Sequence, residues 1–168
     1  MQVTVSSGNN IYGTLVLPIF EGTETIGATN EGVPNALNAQ INRVLSEGDF
    51  KGKANSTMTL LGTDGGKAML VGLGKEADAT VHTYRDAGAS AVAARKKVHG
   101  SEFTVNFSTK DTAAIAAFAE GMMLRDYEYN EYKSKDDDDD NADLSTRINC
   151  NEADVESLGA AVERAAGV

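Results

Sequence analysis

Short β-rich runs open the chain, and an amphipathic helix follows them. Residues 2–6 and 12–20 are rich in β-branched and large apolar residues and flank a Gly-Asn-Asn cluster, which predicts two strands joined by a turn. The second run is almost continuously apolar, as in a strand covered on both faces, and Pro18 predicts a bulge or a strand end within it. Between Pro34 and Gly48 the apolar positions recur at helical spacing, which predicts a helix with one buried face: Leu37, Ile41, Val44 and Leu45.

A hairpin and a second helix are predicted next. Residues 56–62 and 67–73 are β-rich runs on either side of a Gly-rich loop, a composition typical of hairpins. A helix is predicted from about Thr80 to Val98, and its buried face consists of Val81, Tyr84, Gly88, Ala91 and Val92. Its last turn carries a dense basic patch made of Arg95, Lys96, Lys97 and His99. Because cations at a helix C-terminus complement its dipole, we interpret the patch as a helix cap rather than a ligand site.

Two further strand–helix pairs complete the pattern. Residues 103–107 predict a short strand, and Ser108 with Asp111 three positions later resembles a capping box at the start of a helix. The buried stripe of that helix is Ile115, Phe118, Ala119 and Met122. Residues 144–150 alternate as a strand with one buried face, and Asn151 is predicted to cap a final helix. The buried stripe of the final helix is Val155, Leu158, Val162 and Ala165.

The predicted order is therefore β-β-α-β-β-α-β-α-β-α. Alternating strands and helices with hairpins included predict an α/β fold, a mixed sheet of about six strands with helices on both faces. No internal repeat is visible in the sequence. The five aspartates at 136–140 predict a solvated loop. A calcium site is the less favoured alternative, because the ordered oxygen spacing of an EF-hand loop is missing.

The charge balance narrows the choice of partners. The chain has 168 residues, enough for one domain, and 41% hydrophobic with 24% charged residues is ordinary for a globular protein. Its formal net charge is −10 at pH 7. Because an acidic chain is repelled by phosphate backbones, we expect no nucleic-acid partner.

The cysteine count and the apolar runs predict a soluble cytoplasmic protein. Cys150 is the only cysteine, so no disulfide can form within the chain, which fits a reducing compartment. The N-terminal residues lack the basic and apolar regions of a signal peptide. The longest apolar stretch, 113–119, is far shorter than the ~20 residues that a membrane span needs, so no membrane contact is predicted.

Motifs of catalytic chemistry are missing from the sequence. His82 and His99 have no metal-ligand neighbours at a recognisable spacing, and no P-loop, Gly-x-Ser-x-Gly or His-Glu-x-x-His pattern occurs. Cys150 lies in a predicted strand, where a small buried hydrophobe is favoured over a nucleophile. Gly72 and Gly74 end a strand and are the weak candidates for ligand binding by approach to a phosphate, against the alternative of a tight turn out of the sheet. No catalytic or metal-binding residue is assigned.

Five segments together carry a family resemblance. In chain order they read LVLPIFEG, GDFKGKANSTMTLLG, AMLVGLGK, YRDAGASAVAARKK and EGMMLRDYEYNEYKS. The series resembles the N-terminal domain of the leucyl aminopeptidase family, the cytosol aminopeptidases, in the order and approximate spacing of its motifs. The glycines of VGLGK before a helix, and a Glu-Gly helix followed by spaced tyrosines, are the most specific parts.

The resemblance implies a domain joined to a catalytic half. Residues 1–150 would form a macro-domain-like sandwich of three layers, and 151–168 would begin the helix that leads to a C-terminal catalytic domain. In the family that absent domain binds two divalent metal ions, zinc or manganese, around a signature similar to Asn-Thr-Asp-Ala-Glu-Gly-Arg, which this chain lacks. The resemblance implies no cofactor in this chain and, for the parent protein, peptide substrates and a homo-hexamer.

The tyrosine-rich end of the third helix receives a structural interpretation from the same resemblance. The run 113–124 would pack against the sheet with Gly121 permitting close approach. Tyr127, Tyr129 and Tyr132 would then fix the chain as it leaves the helix, since tyrosine rings bury apolar area while their hydroxyls reach polar partners.

Three hypotheses for the function follow. The first is a non-catalytic N-terminal domain of a metal-dependent aminopeptidase, serving assembly and access to the active sites. The second is a stand-alone macro-like module that binds a nucleotide or ADP-ribose near Gly72 and Gly74. The third is a purely structural assembly domain.

Overall fold

The computed structural model describes residues 1–26, 32–63, 65–98, 100–131 and 144–167. Ten regular elements occur in the predicted order: β1 Gln2–Ser7, β2 Thr14–Phe20, α1 Asn35–Ser46, β3 Thr57–Leu61, β4 Lys67–Gly74, α2 Val81–Ala93, β5 Glu102–Asn106, α3 Thr112–Glu131, β6 Ser145–Cys150 and α4 Val155–Ala165. Short 3₁₀ turns occupy Glu76–Asp78, Arg95–Lys97 and Glu152–Asp154. The predicted order of strands and helices is confirmed.

The strands form one six-stranded sheet in the order β1-β6-β5-β2-β4-β3. Neighbouring strands are parallel except β3 and β4, which are antiparallel as the predicted hairpin requires. Pro18 lies inside β2. The pairing of β2 with β5 ends at Val16, two residues earlier, and the pairing of β2 with β4 shifts register between Ile19 and Phe20, just after Pro18. The predicted irregularity at Pro18 is therefore present, because proline lacks the N–H that a continued ladder needs.

Helices cover both faces of the sheet, as predicted. On one face α1 packs its four predicted apolar residues against Leu15, Leu17 and Leu70. On the other face α2 and α3 pack against Val16, Met69 and strand β5, and α4 packs with α3 against β6. The side chains of β2 therefore alternate between two apolar layers, which explains why its sequence is almost continuously apolar.

The α1 side of the sheet is apolar only over β2, β4 and β3. Because Phe103, Val105 and Ile148 face the other three helices, Thr104 and Arg147 must face the α1 side. Among the described residues, the β1–β2 loop lies against these polar side chains. The N–H of Tyr12 donates to Thr104 Oγ1 over 2.8 Å, and the Arg147 guanidinium stacks 4.3 Å from the centre of the Tyr12 ring.

Helices α2 and α3 make a close backbone contact through two glycines. A Cβ on Gly121 would overlap the carbonyl oxygen of Arg85, and a Cβ on Gly88 would overlap that of Phe118. The predicted close approach at Gly121 is confirmed. Its partner, however, is helix α2 and not the sheet, because α2 and α3 lie side by side on the same face.

Three predicted helix ends were wrong by a few residues. Helix α2 ends at Ala93 instead of Val98, because the basic residues 95–97 continue as a 3₁₀ turn. Helix α3 is capped by Asp111 and not by Ser108, since Asp111 Oδ1 accepts the N–H of Ala113 over 3.0 Å. Asn151 precedes a 3₁₀ turn and makes no side-chain cap, and α4 begins only at Val155.

The end of helix α3 differs from the predicted tyrosine anchor. The helix continues past Tyr127 and Tyr129, and Tyr127 is 68% exposed, so its ring does not fix the chain by burial. Leu124, also predicted to pack, is 52% exposed. Met122 and Asp126 are buried instead, and their spacing of four residues places them on the same face of the helix. The ring of Tyr129, Tyr132, His99 and the aspartate run 136–140 lie outside the described residues.

Asp126 forms a buried ion-pair cluster between elements that are distant in sequence. Its side chain is 4% exposed, and Oδ2 lies 3.1 Å from the α-ammonium nitrogen of Met1. Its Oδ1 lies 3.7 Å from a guanidinium nitrogen of Arg95, which follows α2. Burying a carboxylate is costly unless cations compensate it, as the α-ammonium and the guanidinium do here. The cluster therefore ties the start of β1 and the end of α2 to helix α3.

Candidate functional site

In a parallel sheet, ligands bind most often in the crevice outside the carboxyl ends of the strands. Strands β1, β2, β4, β5 and β6 are parallel to one another, so their carboxyl ends share one edge of the sheet. Among the described residues, three clefts open along this edge or beside it.

Gly72 and Gly74 lie at the carboxyl end of β4, and both are engaged in packing. A Cβ on Gly72 would overlap the carbonyl oxygen of Lys53, and Gly74 has a φ of +77°, which favours glycine. The N–H of Gly72 donates to Ser56 O and that of Gly74 donates to Gly52 O, each over 2.8 Å. Because a phosphate would need free N–H groups here, these bonds favour the alternative interpretation of the two glycines as a close-packed turn.

The cleft beside these glycines is acidic. It has a volume of about 410 Å³ and extends from the end of β4 to the first turn of α2. Its lining includes three carboxylates, Glu21, Asp78 and Asp86, against the cation of Lys75. Carboxylates repel phosphate oxygens, so the electrostatics of this cleft oppose a nucleotide.

A second cleft lies at the ends of β1, β5 and β6. It has a volume of about 220 Å³, and its polar lining includes several carboxamides and one cation: Asn9, Asn106, Asn149, Asn151 and Lys110. Asn149 Nδ2 donates to Asn106 Oδ1 and to the carbonyl oxygen of Asn10, each over 3.0 Å. These bonds tie β5, β6 and the β1–β2 loop together.

A third, smaller cleft lies between β2 and β5. It has a volume of about 130 Å³ and is lined mainly by apolar and hydroxyl side chains, among them Phe20, Ile26, Phe107 and Ser108. This is the point at which the strand order reverses, since the chain builds β4 and β3 on one side of β2 before returning to β5 on the other. The sequence did not single out this place, although Asn106 at the end of β5 and Ser108 shortly after it were a polar signal for it.

Two titratable side chains at this edge are held in their neutral forms. Burial, and then the carboxylate of Asp154, raise the pKa of the Cys150 thiol, so the thiol is not activated as a nucleophile. Burial, followed by the charge of Asp111, raises the pKa of Tyr84, while a hydrogen bond with Thr109 opposes the shift. The Tyr84 ring also makes an edge-on contact with Phe20 at 6.2 Å between ring centres.

The basic residues after α2 have local partners. Arg95 Nε donates to the carbonyl oxygen of Gly100 over 3.3 Å, and its guanidinium is near Asp126. The interpretation of this patch as part of a helix end is therefore supported for Arg95. Within the described ranges, no group of three or more His, Cys, Asp or Glu side chains is placed to hold a metal ion. The same ranges contain no helix with the length and apolarity to cross a membrane.

Known proteins with a similar fold and a similar sequence show the family to which this chain belongs. The fold is similar to part of the solved structure of a mutant of tomato leucine aminopeptidase, with a TM-score of 0.67 and 22% identity. That match covers 98% of this chain and 35% of the tomato chain. The sequence profile described as the cytosol aminopeptidase family, N-terminal domain, matches residues 16–136. The chain belongs to the cytosol aminopeptidase family.

Curated relatives agree with this assignment. A probable cytosol aminopeptidase of Allorhizobium ampelinum is 32% identical over 158 residues, covering 88% of this chain and 31% of the relative. The probable cytosol aminopeptidase of Protochlamydia amoebophila is also 32% identical over 158 residues, covering 90% of this chain and 31% of the relative. The solved structure of the bottromycin maturation enzyme BotP in complex with Mn shares the fold, with a TM-score of 0.58 and 21% identity. That match covers 90% of this chain and 28% of the BotP chain. The chain thus spans under a third of the length of these curated relatives.

Proposed function

We propose that this chain is the non-catalytic N-terminal domain of a metal-dependent leucyl aminopeptidase. The observation that carries the proposal is the match of residues 16–136 to the N-terminal domain of the family. Coverage of only 31% of the Allorhizobium relative supports a catalytic domain that follows. We assign 1–150 to the domain itself and 151–168 to the start of the link to the catalytic half.

The parent protein, in this proposal, removes N-terminal amino acids from peptides in the cytoplasm. Its chemistry rests on two divalent ions, zinc or manganese, held by the C-terminal domain. A manganese complex of one enzyme with this fold, BotP, supports that choice of metal. The present chain contributes to assembly of a homo-hexamer and shapes access to the active sites.

The packing of the domain supports a structural role. Two of the segments that carry the family resemblance lie in α2 and α3, where Gly88 and Gly121 allow the helix backbones to touch. Gly72 and Gly74, from a third such segment, allow β4 to pack against residues 52–56. These segments of the resemblance therefore contribute glycines to the packing of the domain.

The test uses the protein encoded by the whole reading frame. We expect the frame to continue beyond Val168 into a segment with the metal-ligand signature, and the purified protein to hydrolyse leucine amide with manganese or zinc. The same protein without residues 1–168 should form smaller assemblies by light scattering. A frame without the signature, or a hexamer that forms equally well without this domain, contradicts the proposal.

The alternative of nucleotide or ADP-ribose binding is tested separately. The acidic lining and the engaged N–H groups at Gly72 and Gly74 lead us to expect no heat above dilution when ADP-ribose is titrated. Substituting either glycine would distort its packing, so Lys75→Glu is the sharper variant, with Lys110→Glu in the second cleft as its matched control. Micromolar binding that Lys75→Glu abolishes and Lys110→Glu preserves would establish the alternative.

A further inference from the structure

Strand β3 forms one edge of the described sheet, and its backbone pairing shows which groups point outward. The N–H of Gly72 donates to Ser56 O, and the N–H of Gly62 donates to Gly66 O. Bonded pairs alternate along an antiparallel ladder, so Met58 and Leu60 also bond towards β4. The N–H and C=O groups of Thr57, Thr59 and Leu61 therefore point away from the sheet.

This edge lacks the features by which proteins usually block pairing with another strand. Natural edges carry charges, prolines or bulges that discourage a second strand. Residues 54–63 contain no charged residue and no proline, and β3 pairs with β4 over all five residues without a bulge. Leu61, at the end of β3, is 68% exposed. An uncharged, regular edge with an exposed leucine is typical of a strand that pairs with a partner.

We propose that β3 pairs with β3 of a second copy of this chain, antiparallel and about a two-fold axis at Thr59. In this register Thr59 faces Thr59 of the other copy, and Leu61 faces Thr57. Every outward residue then meets an outward residue, as a bonded pair in an antiparallel ladder requires. Three outward residues in each copy make about six backbone hydrogen bonds. The two sheets would join into one continuous sheet.

The charge distribution favours a second copy as the partner. A net charge of −10 makes two copies repel each other over most of their surfaces. The neutral edge lowers that repulsion locally, and a two-fold pairing is self-complementary because each strand offers the same pattern. The opposite edge strand, β1, exposes no large apolar side chain, since Val3 and Val5 pack against the α3–α4 cluster.

The contact is small, so association should depend on concentration. Five paired residues on each side bury less than the roughly 1,200 Å² of a stable interface, so we expect the dimer to be weak. The proposal does not rest on the aminopeptidase assignment, because it uses only the β3 edge. Its failure would leave that assignment untouched.

Sedimentation velocity from about 10 µM to 1 mM tests the proposal. The wild-type mass should rise from 17.7 kDa towards twice that value. Thr59→Pro removes an outward N–H while leaving the bonds to β4, so it should weaken association at least tenfold. Leu61→Lys adds a charge to the same edge and should act similarly. Ser7→Lys adds the same charge to exposed Ser7 on the β1 edge and should leave association unchanged.

Hydrogen exchange supplies a second readout that does not depend on a variant. The amides of Thr57, Thr59 and Leu61 should become protected as concentration rises, while those of Met58 and Leu60 are protected throughout. Circular dichroism confirms that each variant is folded. A wild-type chain that stays monomeric at about 1 mM, or a dimer that Leu61→Lys leaves intact without protection at Thr59, overturns the proposal.

Discussion

The α2–α3 contact and the carboxyl edge of the sheet differ in the kind of residue on which each depends. Between α2 and α3, glycines bring the backbones together, and a buried carboxylate lies against two cations. At the edge, the clefts are lined by carboxamides, acids and hydroxyls, and two titratable side chains there are held neutral. The helix contact therefore depends on close backbone approach and a compensated buried charge, whereas the edge depends on polar side chains in open clefts. We expect substitutions at the helix contact to be costly and those at the edge to be mild.

The largest effect is expected at Asp126. Asp126→Asn keeps the shape of the side chain but leaves Met1 and Arg95 without their counter-charge in a buried place. We expect a loss of about 3 to 5 kcal/mol in the free energy of unfolding, measured by urea denaturation. The control is Glu128→Gln, which removes an exposed ion pair with Arg125 and should cost about 0 to 1 kcal/mol. Equal effects of the two variants would contradict the proposed role of the buried cluster.

The glycine contact should show the next largest effect. Gly121→Ala places a methyl group against the Arg85 carbonyl and forces α2 and α3 apart, so we expect a loss of about 1 to 3 kcal/mol. Gly159 is the matched control, because it lies in α4 with no atom within 4 Å of an added Cβ. Gly159→Ala should stabilise the helix by up to about 1 kcal/mol. If both substitutions raise the free energy of unfolding measured by thermal unfolding, the contact with the Arg85 carbonyl does not restrict position 121 to glycine.

At the carboxyl edge, Asn149 makes the polar contacts that link β5, β6 and the β1–β2 loop. Asn149→Ala removes hydrogen bonds to Asn106 and Asn10 at a partly exposed position, so we expect a cost of only about 1 kcal/mol. Exposed Asn151 lines the same cleft, and Asn151→Ala should be close to neutral. A loss at Asn149 as large as that at Asp126 would remove the contrast between the two regions.

The smallest effect concerns the pH dependence of Tyr84. Its pKa is raised in the folded state, so folding favours the neutral phenol. The resulting stability is complete below the ordinary pKa of about 10 and is lost as pH rises through the folded-state pKa. Tyr84→Phe should therefore flatten the fall in unfolding free energy above pH 10, while at pH 7 to 9 the two proteins differ by a constant amount. Parallel curves through pH 11 would show that Tyr84 does not contribute.

The layers of the fold could be predicted from the sequence because each depends on a local pattern. The continuous apolar run in β2 required cover on both faces, and the structure provides α1 on one face and α2 with α3 on the other. Helix ends were less predictable. Residues 95–97 fit an α-helix as well as the 3₁₀ turn they adopt, and the residues from Tyr127 onward are compatible with a helix that simply continues.

The clefts could not be predicted because strand pairing, rather than sequence proximity, assembles them. Asn106 and Asn149 meet only because β5 and β6 are adjacent in the sheet. Gly72 and Gly74 were a reasonable signal of close backbone approach, and such an approach occurs. A glycine pattern cannot distinguish a phosphate from a neighbouring segment, which here is 52–56.

Leucine-amide hydrolysis by the purified 168-residue chain tests the central claim most directly. With zinc, manganese or cobalt added, we expect no release of leucine, because peptide hydrolysis at a metal site needs ligands that hold the ion and leave a position open for water. The proposal places those ligands in the C-terminal domain. Metal-dependent turnover that co-purifies with this chain, and that a single substitution within it abolishes, would contradict the account of a non-catalytic domain.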